Sequence, residues 1–315
     1  MRQRHVVVGA GPVGLATARE LVAAGHEVLL ASRSGAGAEV PGATRVRADA
    51  ADADRLSELA EGAAALYNCI NPPSYDVWST YWPPVAAAFL AAAERSGAVL
   101  VTASCLYGYG PVDQPMVEGM PDAATGVKGR LRADMWARAR AAHEAGRIRA
   151  VEVRGSDYLG ADITSAHVPM AVPRALAGKS AWFVVGTDQP HSFTDVRDMG
   201  RALAAVAVDE RAWGRVWHAP TNPAVTPAQA VADVCASVGR PPVPVRRVPR
   251  AAMWLGALVV PLLREMRETA YQFERPYLLD SSAITRELGL EPTPWELTCR
   301  ATATNEATSA LGCPA

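Results

Sequence analysis

His5-Val6-Val7-Val8-Gly9-Ala10-Gly11-Pro12-Val13-Gly14 is the stretch from which the fold can be read. Three β-branched residues in succession read as a buried strand. The helical spacing of apolar residues begins directly after the glycines. Gly9, Gly11 and Gly14 form G-x-G-x-x-G, and each has its own physical task. Gly9 permits a tight turn, Gly11 lets a phosphate approach the backbone, and Gly14 lets the helix pack against the strand. Pro12 suits the first helical turn, where its missing N–H is not needed, and Val13 continues that turn. A strand, a turn and a helix whose amino terminus faces a pyrophosphate are therefore expected here, with Gly9, Gly11, Pro12, Val13 and Gly14 as cofactor contacts.

Working outward, a helix is predicted over Gly11 to Ala24, stopped by Gly25, and a second strand over Glu27 to Ala31. The end of that strand is where NAD-binding folds place an acid against the adenosine ribose. This chain has Ser32-Arg33-Ser34 there. A carboxylate would repel a 2′-phosphate, whereas a guanidinium pairs with it, so Ser32 and Arg33 point to NADP(H) rather than NAD(H). A third strand over Thr44 to Ala48 leads to Asp49-Ala50-Ala51-Asp52. An acid just past this strand can hydrogen-bond the adenine amino group, which makes Asp49 and Ala50 candidate contacts. Asp52 reads as a cap for a helix over Ala53 to Ala60. Further strands are expected over Ala64 to Ile70, Ala98 to Ala103 and Ile148 to Val153, with helices over Trp78 to Gly97 and Lys128 to Gly146. Strands alternating with helices imply a Rossmann-type doubly wound parallel α/β sheet, with ligands at the carboxyl ends of the strands.

Beyond Arg154 the pattern is irregular. It reads as a loop over Asp157 to Ser165, a helix over Val168 to Leu176, a strand over Trp182 to Val185 and a helix over Asp198 to Val208. A strand over Arg215 to His218 returns to the main sheet. There follow a helix over Thr226 to Val238, a strand over Val243 to Val248, an apolar helix over Ala251 to Leu263 and a last helix over Ser281 to Leu288. Residues 1–155, with 191–220 returning to them, are expected to form the dinucleotide-binding domain. Residues 156–190 and 221–315 are expected to form a small, discontinuous substrate lobe, with the substrate pocket between the two.

The composition of the 315 residues, 50% hydrophobic and 20% charged with a net charge of −1, is that of a globular chain with no electrostatic case for nucleic acid or an anionic membrane. The apolar run at Ala251 to Leu263 is shorter than the roughly 20 residues a bilayer requires. Five scattered cysteines without C-x-x-C suggest reduced thiols and a cytoplasmic location. The histidines show no metal-ligand spacing.

The chain resembles the extended or atypical short-chain dehydrogenase/reductase superfamily, and more narrowly the NAD-dependent epimerase/dehydratase-like family. The resemblance rests on the amino-terminal glycine motif, Asp49, the Asn71-Pro72 turn and Tyr107-Gly108-Tyr109-Gly110-Pro111. Arg154-Gly155-Ser156-Asp157-Tyr158, F-T-D-V-R-D at 193–198 and D-S-S-A-I-T-R-E-L-G-L at 280–290 complete it. It implies cofactor contacts at Asn71, Pro72, Lys128 and Ser156. It also implies a serine, a tyrosine and a lysine as catalysts, the last two as Tyr-x-x-x-Lys, the lysine lowering the phenol pKa by its charge.

This sequence departs from that pattern. Lys128, one of two lysines with Lys179, stands at the start of the right helix, but four residues earlier is Ala124, and four before Tyr107 is Ala103. Two readings follow. In one, Tyr107 or Tyr109 takes the acid/base role, Ser104 orients the substrate oxygen and Lys128 holds the ribose. In the other, substrate or water supplies the proton. Cys105 is a candidate nucleophile without a histidine near it in sequence. Arg154, Arg197 and His191 are candidate substrate contacts. Tyr75, Trp78, Tyr81 and Trp82 can wall a pocket for an apolar or aromatic substrate. Arg130, Arg132, Arg138 and Arg140 read as exposed positions on the 128–146 helix, which with 79–97 is where relatives dimerise. The expected function is NADP(H)-dependent hydride transfer on a small, partly apolar carbonyl, alcohol or imine. Two alternatives remain open: a nucleotide-sugar epimerase or dehydratase, and a non-catalytic NADP-binding sensor.

Overall fold

A computed structural model describes residues 2–72, 74–249, 265 and 267–305. The strands of the main sheet are β1 (Arg4–Val8), β2 (Glu27–Ser32), β3 (Ala43–Arg47), β4 (Ala65–Asn68), β5 (Val99–Cys105) and β6 (Ala150–Gly155), closed by β10 (Val216–His218). Their order across the sheet is β10-β6-β5-β4-β1-β2-β3, and every pairing is parallel. The chain starts in the middle and winds outward both ways, so the order reverses between β1 and β4. At such a switch point the loops above neighbouring strands part and leave a crevice at the carboxyl ends.

The run Val6-Val7-Val8 explains why β1 is central. Val6 and Val8 face the layer formed by α2 (Ala53–Ala60), α3 (Trp78–Ser96) and α4 (Val127–Glu144). Val7 faces the opposite layer, formed by α1 (Pro12–Ala23) and α6 (Val196–Val208). A strand covered on both faces has no polar side to show, hence the unbroken apolar run. Close helix contact is built in: a Cβ at Gly200 of α6 would lie 2.7 Å from the Ala16 backbone of α1. The caps follow sequence chemistry. The Asp52 carboxylate accepts the Arg55 N–H at 2.9 Å, and Gly97 ends α3 in the left-handed region, with φ +70°.

The rest of the chain gathers round a separate apolar cluster centred on Val172, Phe183, Val231 and Phe273. It comprises β7 (Asp157–Leu159), α5 (His167–Leu176), β8 (Ala181–Phe183), β9 (Phe193–Asp195), α7 (Pro227–Ser237), β11 (Val245–Arg247), α8 (Tyr271–Glu274) and α10 (Trp295–Thr304), whereas α9 (Ser282–Leu288) buries Ala283 and Ile284 in the core beneath α1 and α6. Two small sheets lie here, β7 with β9 and β8 with β11.

Two expectations need correcting. Asp157 to Ser165 is not wholly loop, because Asp157–Leu159 pairs with Phe193–Asp195. The helix at 282–288 is not the last, since α10 follows and packs on α7 and α5, its Cys299 buried. The apolar helix expected over Ala251 to Leu263 lies outside the described residues. Among the described residues no helix is long and apolar enough to cross a membrane.

Candidate active site

A cleft of about 820 Å³ runs across the carboxyl ends of β2, β1, β4 and β5. Its floor is the glycine turn. Gly9 has φ +111°, and a Cβ there would stand 2.6 Å from the Cys69 carbonyl oxygen. A Cβ at Gly14 would sit only 1.8 Å from the Gly9 carbonyl oxygen, so α1 is held against the turn by the lack of a side chain, and Gly14 itself does not reach the cleft. Gly11 differs: a Cβ there meets no protein atom and would project into open space on the cleft wall. It is the N-cap of α1, no side chain caps the first-turn amides, and Pro12 follows. Free amides at the positive end of a helix fit a diphosphate. Val13, Asn71 and Pro72 also face this space.

At one end the wall is formed by Ala31, Ser32, Arg33, Ala48 and Ala50. Arg33 is exposed and has neither hydrogen bond nor ion pair among the described residues. Asp49, expected to reach the adenine, is exposed off the cleft, and its carboxylate accepts the Ala51 N–H at 2.9 Å. An acid two residues before an amide satisfies that amide first, in an Asx-type turn.

At the other end lie Ser104, Cys105, Tyr107, Tyr75, Trp78, Ser156 and Tyr158, joined by Tyr277 from far along the chain. Among the described residues, the buried hydroxyls of Ser104, Ser156 and Tyr277 have no hydrogen-bond partner. The hydroxyls of Tyr75 and Tyr107 are 2.8 Å apart, and the Tyr107 ring stacks on Trp78 at 6.1 Å. Burial pushes the Tyr75 phenol up to about 12, against the lowering effect of its bond to Tyr107. Burial raises Tyr107 well above the ordinary phenol range, helped by Tyr75 beside it. Both phenols are therefore protonated at neutral pH. Burial likewise raises the Cys105 thiol, so it is not the thiolate that a nucleophile requires.

Five residues expected at the site stand elsewhere. Lys128 is buried, but its Nζ lies 2.7 Å from Glu265 and 3.1 Å from Glu268 and does not line the cleft, although Tyr75 passes 5.3 Å beneath it. Its charge is spent on two carboxylates, which removes the means of lowering a phenol pKa. The Tyr109 hydroxyl bonds to His218 Nε2 at 2.7 Å, away from the cleft. Burial lowers His218 to about 4, so its Nε2 accepts while Nδ1 donates to the Asp280 carbonyl at 2.7 Å. Arg154 is buried, bound to Glu152 at 2.7 Å and through two nitrogens to Asp122 at 2.6 and 3.0 Å. His191 stacks on Phe273 at 4.5 Å, with Nδ1 donating to the Gln272 carbonyl at 3.1 Å and Nε2 3.3 Å from Asp157 Oδ2. Arg197 is likewise paired, with Asp195 at 2.6 Å.

In their place the structure brings Arg132 to the cleft. It was expected on the surface of α4, yet it is only 6% exposed and lies 4.0 Å from the Trp82 ring and 5.0 Å from that of Trp78. The signal in the sequence is its spacing, four residues after Lys128 and hence on the same helix face. Tyr277 gives no such signal, because Ser104, Tyr107, Ser156 and Tyr158, with which it shares the cleft, are more than a hundred residues away in sequence.

The sequence pattern of the NAD dependent epimerase/dehydratase family matches residues 5–217, from β1 to the last strand of the main sheet. The chain belongs to that family. No curated protein sequence matches it. Among solved structures of similar fold, the dTDP-glucose 4,6-dehydratase of Bacillus anthracis, in complex with NAD, superposes with a TM-score of 0.76 at 16% identity, covering 96% of each chain. The UDP-glucose 4-epimerase of Thermotoga maritima, with UDP-glucose, gives 0.74 at 15% identity, over 96% of this chain and 98% of that one. The UDP-glucose 4-epimerase of Brucella ovis, in complex with NAD, gives 0.72 at 20% identity, over 96% and 98%. At these identities the likeness is one of fold. Against the Tyr-x-x-x-Lys pattern that the resemblance implied, this chain has Ala124 four residues before Lys128, and that lysine is paired with Glu265 and Glu268.

Proposed function

We propose that the chain is an NADP(H)-dependent oxidoreductase that reduces a small, partly apolar carbonyl compound. The observation that carries this reading is the continuity of the cleft: it joins the glycine turn and Arg33 at one end to Ser104 and the Tyr75–Tyr107 pair at the other. Gly9, Gly11, Pro12 and Val13 would hold the diphosphate, and Ser32 and Arg33 the 2′-phosphate; Arg33 is the residue on which NADP rather than NAD rests.

When bound, the reduced cofactor supplies a hydride to the carbonyl carbon. The protein handles the oxygen. The Ser104 hydroxyl, without another partner among the described residues, hydrogen-bonds it. As the carbonyl π pair moves onto oxygen, Tyr107 releases its proton there, and Tyr75 steadies the resulting phenolate through the 2.8 Å contact. Solvent reprotonates the pair through the open end of the cleft. The aromatic walls, Tyr75 and Trp78, exclude water from the reacting centre.

The raised phenols favour this direction over that of an epimerase or dehydratase. Those reactions begin by taking a proton from a sugar hydroxyl, which needs a phenol willing to ionise. The sequestered Lys128 leaves none here. The test is NADPH oxidation over a panel of apolar aldehydes and ketones, wild type against Tyr107→Phe and Lys128→Met. Turnover lost in Tyr107→Phe and largely kept in Lys128→Met supports the reading; full activity in Tyr107→Phe contradicts it.

A further inference from the structure

Among the described residues, the buried cations near the cleft are paired with carboxylates, with one exception. Lys128 has Glu265 and Glu268, and Arg154 has Glu152 and Asp122. Among the described residues Arg132 has no ion pair, and its Nε and Nη1 are buried without a hydrogen-bond partner. An unpaired buried guanidinium is expensive, and the indole faces of Trp78 and Trp82 return only part of that cost. Buried groups left open in this way call for a ligand.

Arg132 lies at the reacting end of the cleft, not the Arg33 end. Its positive charge is felt by Cys105, Tyr75 and Tyr158, all on the same wall. None of the carboxylates nearby bonds Arg132: Glu152 is held by Arg154 at 2.7 Å, Glu265 faces Lys128 at 2.7 Å, and Asp157 Oδ2 stands 3.3 Å from His191 Nε2.

We propose that Arg132 binds the carboxylate of the substrate, so that the compound reduced is a small oxo acid with an apolar or aromatic body. The class of reaction rests on the reading above; the carboxylate site itself stands on Arg132 alone. One positive charge without an ion pair among the described residues, set between neutral rings, calls for a monoanion, and the planar guanidinium matches the two oxygens of a carboxylate. Anchoring that end would point the carbonyl at Ser104 and Tyr107, and the indoles would strengthen the pairing by keeping water out.

The probes are benzoate and benzamide, equal in shape and different in charge. Each is titrated calorimetrically into the full-length protein, free and loaded with NADP. Benzoate is expected to bind the wild type about tenfold tighter than benzamide or better, and this preference is expected to shrink to about twofold in Arg132→Gln and Arg132→Met. The NADP affinity of both variants is expected to stay within about twofold of the wild type. Equal binding of the two probes, or no binding of either, overturns the site on wild type alone, whatever the variants do. Persistence of the preference in Arg132→Gln also overturns it, and so does loss of NADP rather than benzoate, which would make Arg132 a cofactor contact. Failure of NADP to bind while benzoate is still preferred would strike the oxidoreductase reading and leave the carboxylate site in place.

Discussion

Replacing Tyr107 by phenylalanine removes one oxygen from the centre of the proposed reaction. The structure sets the cost to the fold. The only partner of that oxygen among the described residues is the Tyr75 hydroxyl at 2.8 Å, so one neutral buried hydrogen bond is lost and Tyr75 is left with an unmet group. That is worth about 1–3 kcal/mol, and the ring keeps its stack on Trp78. The variant should therefore fold and melt a few degrees lower. The cost to catalysis is larger, because a positioned general acid contributes about 10²- to 10⁴-fold. The expected result is a fall in kcat of about a hundredfold or more, with NADPH affinity unchanged. In wild type, burial holds the Tyr107 phenol well above its ordinary range, so the proton to be donated is present across neutral pH. The rate should then be flat from about pH 6 to about pH 9 and fall only beyond, as the acid is lost. Tyr75→Phe should cost less, and the double variant no more than Tyr107→Phe, because the two hydroxyls act as one unit. Stopped-flow NADPH oxidation with circular dichroism as the folding control measures all of this. A Tyr107→Phe enzyme with more than about half of wild-type kcat would refute the assignment.

The glycine turn offers a pair of opposite outcomes. Gly11→Val adds atoms where a Cβ touches nothing in the protein, so melting should be unchanged while dinucleotide affinity drops by about tenfold or more. Gly14→Ala puts a Cβ 1.8 Å from the Gly9 carbonyl and should destabilise the fold by more than about 3 kcal/mol, as read by urea denaturation. Stability should also fall as pH drops from neutral. Burial lowers His218 from 6.5 to about 4, so between those values the unfolded imidazole binds a proton that the folded one refuses. Stability is thus full above about pH 6.5 and is lost as pH falls towards about 4, by up to about 3 kcal/mol, with a smaller slope in His218→Asn.

How legible the molecule was depended on how local each cause is. The strand, turn and helix at the amino terminus could be read because Val6 to Gly14 contain their own reasons: a doubly buried strand, a turn with positive φ at Gly9 and a helix pressed against it at Gly14. The helices at 53–60 and 78–96 announce themselves by Asp52 and Gly97. β7 was missed because its three residues pair only with three others more than thirty positions on, so no local alternation marks them. The site was half legible. Ser104 lies at the end of β5, Tyr107 just beyond it, and Tyr75 and Trp78 lie on the connection from β4 into α3, so all four fall at the carboxyl ends of sheet strands, where that topology puts them. Lys128, Arg154 and His191 stand off the cleft for a common reason: each charge or ring is taken up by a distant partner, Glu265, Asp122 or Phe273, that no spacing reveals. Arg132 was taken for a surface residue because an arginine-rich helix face looks solvated until the indoles of Trp78 and Trp82 are seen beneath it.

The central claim is that a nicotinamide dinucleotide lies along this cleft with its 2′-phosphate against Arg33. Fluorescence titration of NADPH and NADH tests it directly, in wild type and in Arg33→Glu. An exposed guanidinium–phosphate pair is worth about 1–2 kcal/mol, so wild type should prefer NADPH by about 5- to 30-fold, and Arg33→Glu should lose that preference while still binding NADH. Equal affinity for the two, or a preference for NADH in wild type, would contradict the NADP assignment. Failure of either nucleotide to bind would contradict the account as a whole.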